Sequence, residues 1–166
     1  YKIKEISSAK YYLINENMYN VEIVDDGTVD VEITNDNVDI DVEIEKKGFI
    51  ETQSKDNIFY NFSNIKNNSN VSLDNFTWRD TLPTEAVRID KIYTGTWNED
   101  LEYAVYYKTN KSDKYILFKD KLNTQKIYEL NFNELKLAED EYVTEYEFRF
   151  GTVKVGFQEV ESPILY

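Results

Sequence analysis

The stretch Val38-Asp39-Ile40-Asp41-Val42-Glu43-Ile44-Glu45-Lys46 alternates apolar and acidic residues for eight positions, then places a lysine in the apolar phase. A repeat of two puts every second side chain on one face, which suits a half-buried strand and not a helix. No Gly or Pro interrupts it. It therefore predicts an extended connector that leaves one unit and becomes the first strand of the next. The boundary is expected near residue 40, with one unit over 1–39 and a second over 40–166.

The same repeat recurs on both sides. Upstream, Tyr1, Ile3 and Glu5 share one face of a strand, and Tyr19, Val21 and Ile23 share a face of another. Asp25-Asp26-Gly27 has the composition of a hairpin turn. Val29, Val31, Ile33 and Asn35 then fall in one phase, before Asn35-Asp36-Asn37. Downstream, Ile58, Tyr60 and Phe62 alternate, and Asn67-Asn68-Ser69-Asn70 makes a polar turn. Phe76, Trp78 and Asp80 share a face before the loop at Pro83. Further strands are expected at 101–107, 115–118, 126–130 and 142–150, with a short helix at 133–138. Many short strands between polar turns predict an all-β chain of antiparallel β-sandwich modules in tandem, Ig-like or prealbumin-like.

Composition narrows the function. The 166 residues include 41% hydrophobic residues, with 14 Tyr and 9 Phe, enough to fill a core. The formal charge is −13, so the basic footprint of a nucleic-acid binder is missing. No partner of that kind is expected. No run of about 20 apolar residues predicts membrane insertion. The chain has no Cys, hence no thiol nucleophile, disulfide or thiolate metal site. It has no His, hence no imidazole base. No cofactor and no metal centre are expected. The chain reads as a piece of a longer protein, because strand-like sequence runs to both of its ends.

Four polar residues occupy the apolar phase of their strands: Glu5, Asn35, Lys46 and Asp80. An unpaired buried charge costs several kcal/mol, so inward charges need partners or a chemical task. One task is an intramolecular isopeptide bond. A desolvated lysine becomes a neutral nucleophile, and a desolvated carboxylic acid holds a proton with which it polarises an asparagine carboxamide. The product crosslinks two strands once, without turnover, and supplies the covalent stabilisation that a protein without Cys lacks. Lys46 and Asp80 have the residue types for it in the second unit, as Glu5 and Asn35 do in the first. A Lys–Asp salt bridge or simple exposure at a strand end is the competing reading.

Residues 1–37 resemble the C-terminal part of a collagen-adhesin B-type domain, the prealbumin-like domain of SpaA-type pilins. The resemblance rests on Tyr1-Lys2-Ile3-Lys4-Glu5, on Ala9-Lys10-Tyr11-Tyr12-Leu13 where the family usually has Ala-Pro-x-Gly-Tyr, on Tyr19-Asn20-Val21-Glu22-Ile23, and on Val31-Glu32-Ile33-Thr34-Asn35. It implies that Glu5 assists isopeptide formation and that Asn35 accepts a lysine from a preceding strand. Residues 41–157 resemble a repeat domain of Firmicutes surface proteins through Glu45-Lys46-Lys47-Gly48, Tyr60-Asn61-Phe62, Asn67 to Asn70, and Trp78-Arg79-Asp80-Thr81-Leu82-Pro83. It implies crosslinking roles for Lys46 and Asp80, with the acceptor asparagine on a last strand beyond Tyr166. The second unit, 40–166, is accordingly expected to lack that strand.

These readings converge on a structural stalk module of a Gram-positive, cell wall-anchored extracellular protein, pilin-like or adhesin-like, whose partners are neighbouring domains of the same protein. The alternative is an adhesin domain that binds a host matrix protein or glycan, with Trp97 and the tyrosines as an aromatic platform. An enzyme with a carboxylate pair is disfavoured, since 32 acidic residues make pairs by chance and no pocket-forming loop is evident. Asn37-x-Asp39-x-Asp41 has the spacing of a calcium loop, but Val42 stands where such a loop needs Gly, and Gly48 where it needs Glu.

Overall fold

The computed structural model describes residues 1–24, 27–50 and 58–166. The chain divides into two compact units, Tyr1–Ile40 and Asp41–Tyr166. Both are built from antiparallel strands, and no α-helix occurs among the described residues.

In the first unit, β1 (Lys2–Lys4) pairs with β2 (Met18–Asn20) in the register Ile3 to Tyr19. The expected strand over 29–35 is not formed. Val29 stays exposed, and the segment is tied down instead by an isolated bridge from Tyr12 to Asn37. Alternation alone makes no strand where no partner supplies the ladder hydrogen bonds. The expected turn falls on Asp25 and Asp26, which lie outside the described residues.

The second unit opens with β3 (Val42–Ile50), β4 (Ile58–Asn67) and β5 (Leu73–Thr81). Short strands follow: β6 (Lys91–Tyr93) and β7 (Thr96–Trp97). Then come β8 (Glu102–Thr109), β9 (Ser112–Asn123), β10 (Glu129–Asn131) and β11 (Val143–Val153). The chain closes with β12 (Glu159–Glu161) and β13 (Ile164–Leu165). One sheet has the order β10-β6-β13-β4-β3 and the other β5-β11-β8-β9, while β12 and β7 form a separate pair. The helix expected at 133–138 is a single 3-10 turn at Phe132–Glu134. The Asn131 side chain caps it by accepting from the Asn133 N–H, while the Phe132 N–H donates to the Asp90 carbonyl.

One hydrophobic cluster draws on both sheets. Phe62, Ile65, Ile92, Leu130 and Leu165 come from the five-stranded sheet, and Trp78, Tyr103, Val105, Tyr146 and Phe148 from the four-stranded one. Trp97 lies inside this cluster at 1% exposure, its ring 4.9 Å from that of Phe150, so it offers no aromatic platform. Full burial of one such ring stabilises the fold by roughly 2–3 kcal/mol.

Asn64 explains how β4 keeps its core contacts at both ends. It adopts a left-handed backbone (φ 58°), and the β3–β4 register shifts between Glu43 and Glu45. The extra residue in β4 is a bulge that changes which alternate side chains point inward. Phe62 is buried before it, Ile65 and Asn67 after it. Asn67 ends the strand with its amide satisfied: its Nδ2 donates to the carbonyls of Val71 and Lys154, and its Oδ1 accepts from the Ser69 N–H. The polar turn expected here is thus a buried plug as well as a turn.

Candidate functional site

β3 and β5 are edge strands of different sheets. Because β3 is an edge, its apolar phase is poorly covered, and Val42 and Ile44 remain more than half exposed. Lys46, in the same phase, finds a partner across the gap. It faces Phe62 in the β3–β4 register. Its ammonium lies 4.5 Å from the centre of the Tyr60 ring and 5.4 Å from that of Phe62.

On β5, Trp78 and Asp80 point inward while Arg79 points out, as their alternation requires. Lys46 Nζ donates to Asp80 Oδ1 at 2.7 Å and to Oδ2 at 2.8 Å. The Lys46 side chain retains 29% of its exposure and that of Asp80 11%. The ion pair therefore links two sheets at the border between core and solvent.

A third group completes the arrangement. The Tyr146 hydroxyl, fully buried on β11, donates to Asp80 Oδ2 at 3.3 Å. Burial pushes this phenol well above its ordinary value, and the neighbouring Asp80 carboxylate pushes it the same way. Tyr146 is held by Trp78 at 6.0 Å and Phe148 at 6.2 Å between ring centres. Sequence reading missed Tyr146, because a tyrosine in the apolar phase of a strand looks like any core aromatic. Gly48 also serves the site. A Cβ there would come within 2.9 Å of the Tyr60 ring, so glycine lets that ring lie flat against β3, beside Lys46. Tyr60 also lines a cavity of about 350 Å³ with Leu82, Val87, Leu165 and Tyr166.

No asparagine is hydrogen-bonded to the Lys46–Asp80 pair among the described residues. The last strand, β13, lies on the far side of β4 from β3, so Ile164 and Leu165 do not border Lys46 in the sheet.

In the first unit the structure brings Glu5 and Asn35 together. Asn35 Nδ2 donates to Glu5 Oε1 at 2.7 Å, and the Asn15 N–H donates to Glu5 Oε2 at 2.6 Å. Asn15 in turn donates through Nδ2 to the Thr34 carbonyl at 2.9 Å. One carboxylate thus ties three distant parts of this unit together, although all of these groups are at least partly open to solvent.

The main chain of Asp41 ties the start of the second unit to the turn after β4. Its N–H donates to Ser69 Oγ, and its carbonyl accepts from the Asn68 N–H. Among the described residues, no three or more acidic side chains are grouped to hold a metal ion, and no helix is long and apolar enough to cross a membrane.

Comparison with protein-family models, with curated proteins and with solved structures found no match to this chain.

Proposed function

We propose that the chain is part of a stalk-like surface protein: two Ig-like or prealbumin-like sandwich modules in tandem whose task is mechanical. Lys46 and Asp80 are then the amine and the acid of a crosslinking site in the second module, and Glu5 and Asn35 the acid and the acceptor of one in the first. The observation that supports this reading is the Lys46–Asp80–Tyr146 constellation. An amine is held against a carboxylate beside the rings of Tyr60 and Phe62, and the pair bridges the edges of two sheets. In the reaction Lys46 Nζ attacks an asparagine carboxamide carbon, a new amide C–N bond forms, the old C–N bond breaks and ammonia leaves. Asp80 relays the proton from amine to leaving group, and Tyr146 fixes the carboxylate that does so.

Intact mass tests this. Residues 1–166 are expected at full mass, because each module holds only part of its triad. A longer chain that supplies the preceding and following strands is expected to lose about one ammonia per bond. Full mass in that longer chain, with both modules folded, would falsify the crosslinking assignment.

A further inference from the structure

The outer face of the four-stranded sheet carries a second charged constellation that takes no part in the crosslinking site. The register sets it out in two rows across the strands. Arg79, Glu147 and Tyr106 form one row, and Thr81, Glu145 and Lys108 the other. Arg149 lies one step further along β11.

Glu147 is buried in the middle of this face, at 1% exposure. Arg79 donates to its Oε2 through Nε at 3.1 Å and Nη2 at 2.9 Å. Arg149 donates to its Oε1 through Nε at 2.5 Å and is paired with it through Nη2. Lys108 pairs with Glu145 at 3.2 Å, and the Tyr115 hydroxyl also donates to Glu145. All three cations converge on one ring. Lys108 lies 4.2 Å from the centre of Tyr115, and Arg79 and Arg149 each lie 5.3 Å from it.

The local charge does not balance. Three cations face two carboxylates, in a chain whose formal charge is −13. Crowded like charges are unfavourable unless a further anion joins them. Each guanidinium has five donors in a planar fork and uses one edge on Glu147. The opposite edges belong to side chains that keep about half their exposure, 54% for Arg79 and 43% for Arg149. Such an edge matches a carboxylate or sulfate bidentately. Glu147 and Arg149 stand on β11, whose main chain is consumed by ladders to β5 and β8, so the centre of this face offers side chains only. A peptide added as a strand would pair at the open edge of β5, away from Glu147 and Arg149.

We propose that this face binds an anionic saccharide, with Arg79 and Arg149 forking its sulfate or carboxylate groups and Lys108 adding a third cationic contact. Glu147 positions the two guanidiniums from below. The assignment is independent of the crosslinking site.

The test titrates residues 1–166 at low ionic strength with a sulfated oligosaccharide, its desulfated counterpart, a polyglutamate peptide and free sulfate, read by NMR. Saturable shifts are expected with the sulfated oligosaccharide at Arg79, Arg149, Lys108 and Tyr115, with none from the desulfated form. Lys108→Gln and Arg149→Lys are each expected to weaken binding about tenfold. Lys108→Gln leaves both arginines on Glu147, and Glu145 keeps Arg79 and the Tyr115 hydroxyl as partners. Shifts centred elsewhere, undiminished affinity in folded variants, or equal affinity for free sulfate would each overturn the proposal. Tighter binding of polyglutamate would also overturn it, by assigning the face to an acidic protein.

Discussion

Lys46 on β3 and Asp80 on β5 join the edges of two different sheets through contacts of 2.7 and 2.8 Å, and no main-chain ladder links those two strands. The pair does for the open side of the second unit what a shared strand would otherwise do.

Removing one partner is therefore expected to cost more than removing both. Asp80→Ala leaves a half-buried ammonium and the Tyr146 hydroxyl without an acceptor, and should destabilise by about 2–3 kcal/mol. The double variant Lys46→Met with Asp80→Ala should recover about 1 kcal/mol of that loss. Urea denaturation of these two variants and of Lys46→Met, beside the parent, closes the cycle. Additive losses would mean that the pair is not coupled.

Tyr146→Phe isolates the hydroxyl from the ring. The rings of Trp78 and Phe148 still hold the side chain, so the expected loss is only about 1.5 kcal/mol, the low end for one hydrogen bond to a charged acceptor, as suits a bond of 3.3 Å. A loss of 3 kcal/mol or more would point to disturbed packing in place of a lost hydrogen bond.

Alkaline pH should weaken the fold through the same residue. Burial holds the hydroxyls of Tyr146 and Tyr103 above their ordinary value of 10.0. Below that value neither the folded nor the unfolded chain has lost these protons, and stability is unaffected. As pH rises through 10.0, the unfolded chain releases protons that the folded chain keeps, so stability falls. Lys66, raised by its bond to Glu43, loses its contribution in the same direction. The urea midpoint should be level from about pH 7 to 9 and decline beyond about pH 10, less steeply in Tyr146→Phe.

Gly95→Ala tests the closing strands. Gly95 has φ +70°, and an added Cβ would come within 2.2 Å of the Glu161 carbonyl oxygen. Strain and clash together should cost about 2–4 kcal/mol and loosen the pairing of β7 with β12. Hydrogen exchange at the Trp97 amide, which donates to the Thr124 carbonyl, reads the local part of that loss.

Residues 41–166 should fold alone. Asp41 is tied to Ser69 and Asn68, so a cut before it breaks no hydrogen bond inside the second unit. The shortened chain is expected to keep the stability of the second unit, read by urea denaturation, within about 0.5 kcal/mol of its value in residues 1–166.

The sequence by itself determined that the chain is all-β, and it located the long strands of the second unit. Residues such as Phe76, Trp78 and Asp80 alternate, and alternation is a local property that any half-buried strand must show. It also singled out Glu5, Asn35, Lys46 and Asp80, because a polar group in an apolar phase is visible without knowing its partner. Tertiary structure alone decided what each of them meets. Lys46 and Asp80 are 34 residues apart and meet only because two sheets close on one core. Residues 29–35 show the converse. Their alternation is as regular as that of β3, but a strand exists only where a second backbone accepts its hydrogen bonds. Tyr146, the β4 bulge at Asn64 and the two-residue strand β7 were likewise silent in the sequence. Each depends on a neighbour distant in the chain, and no local pattern records that.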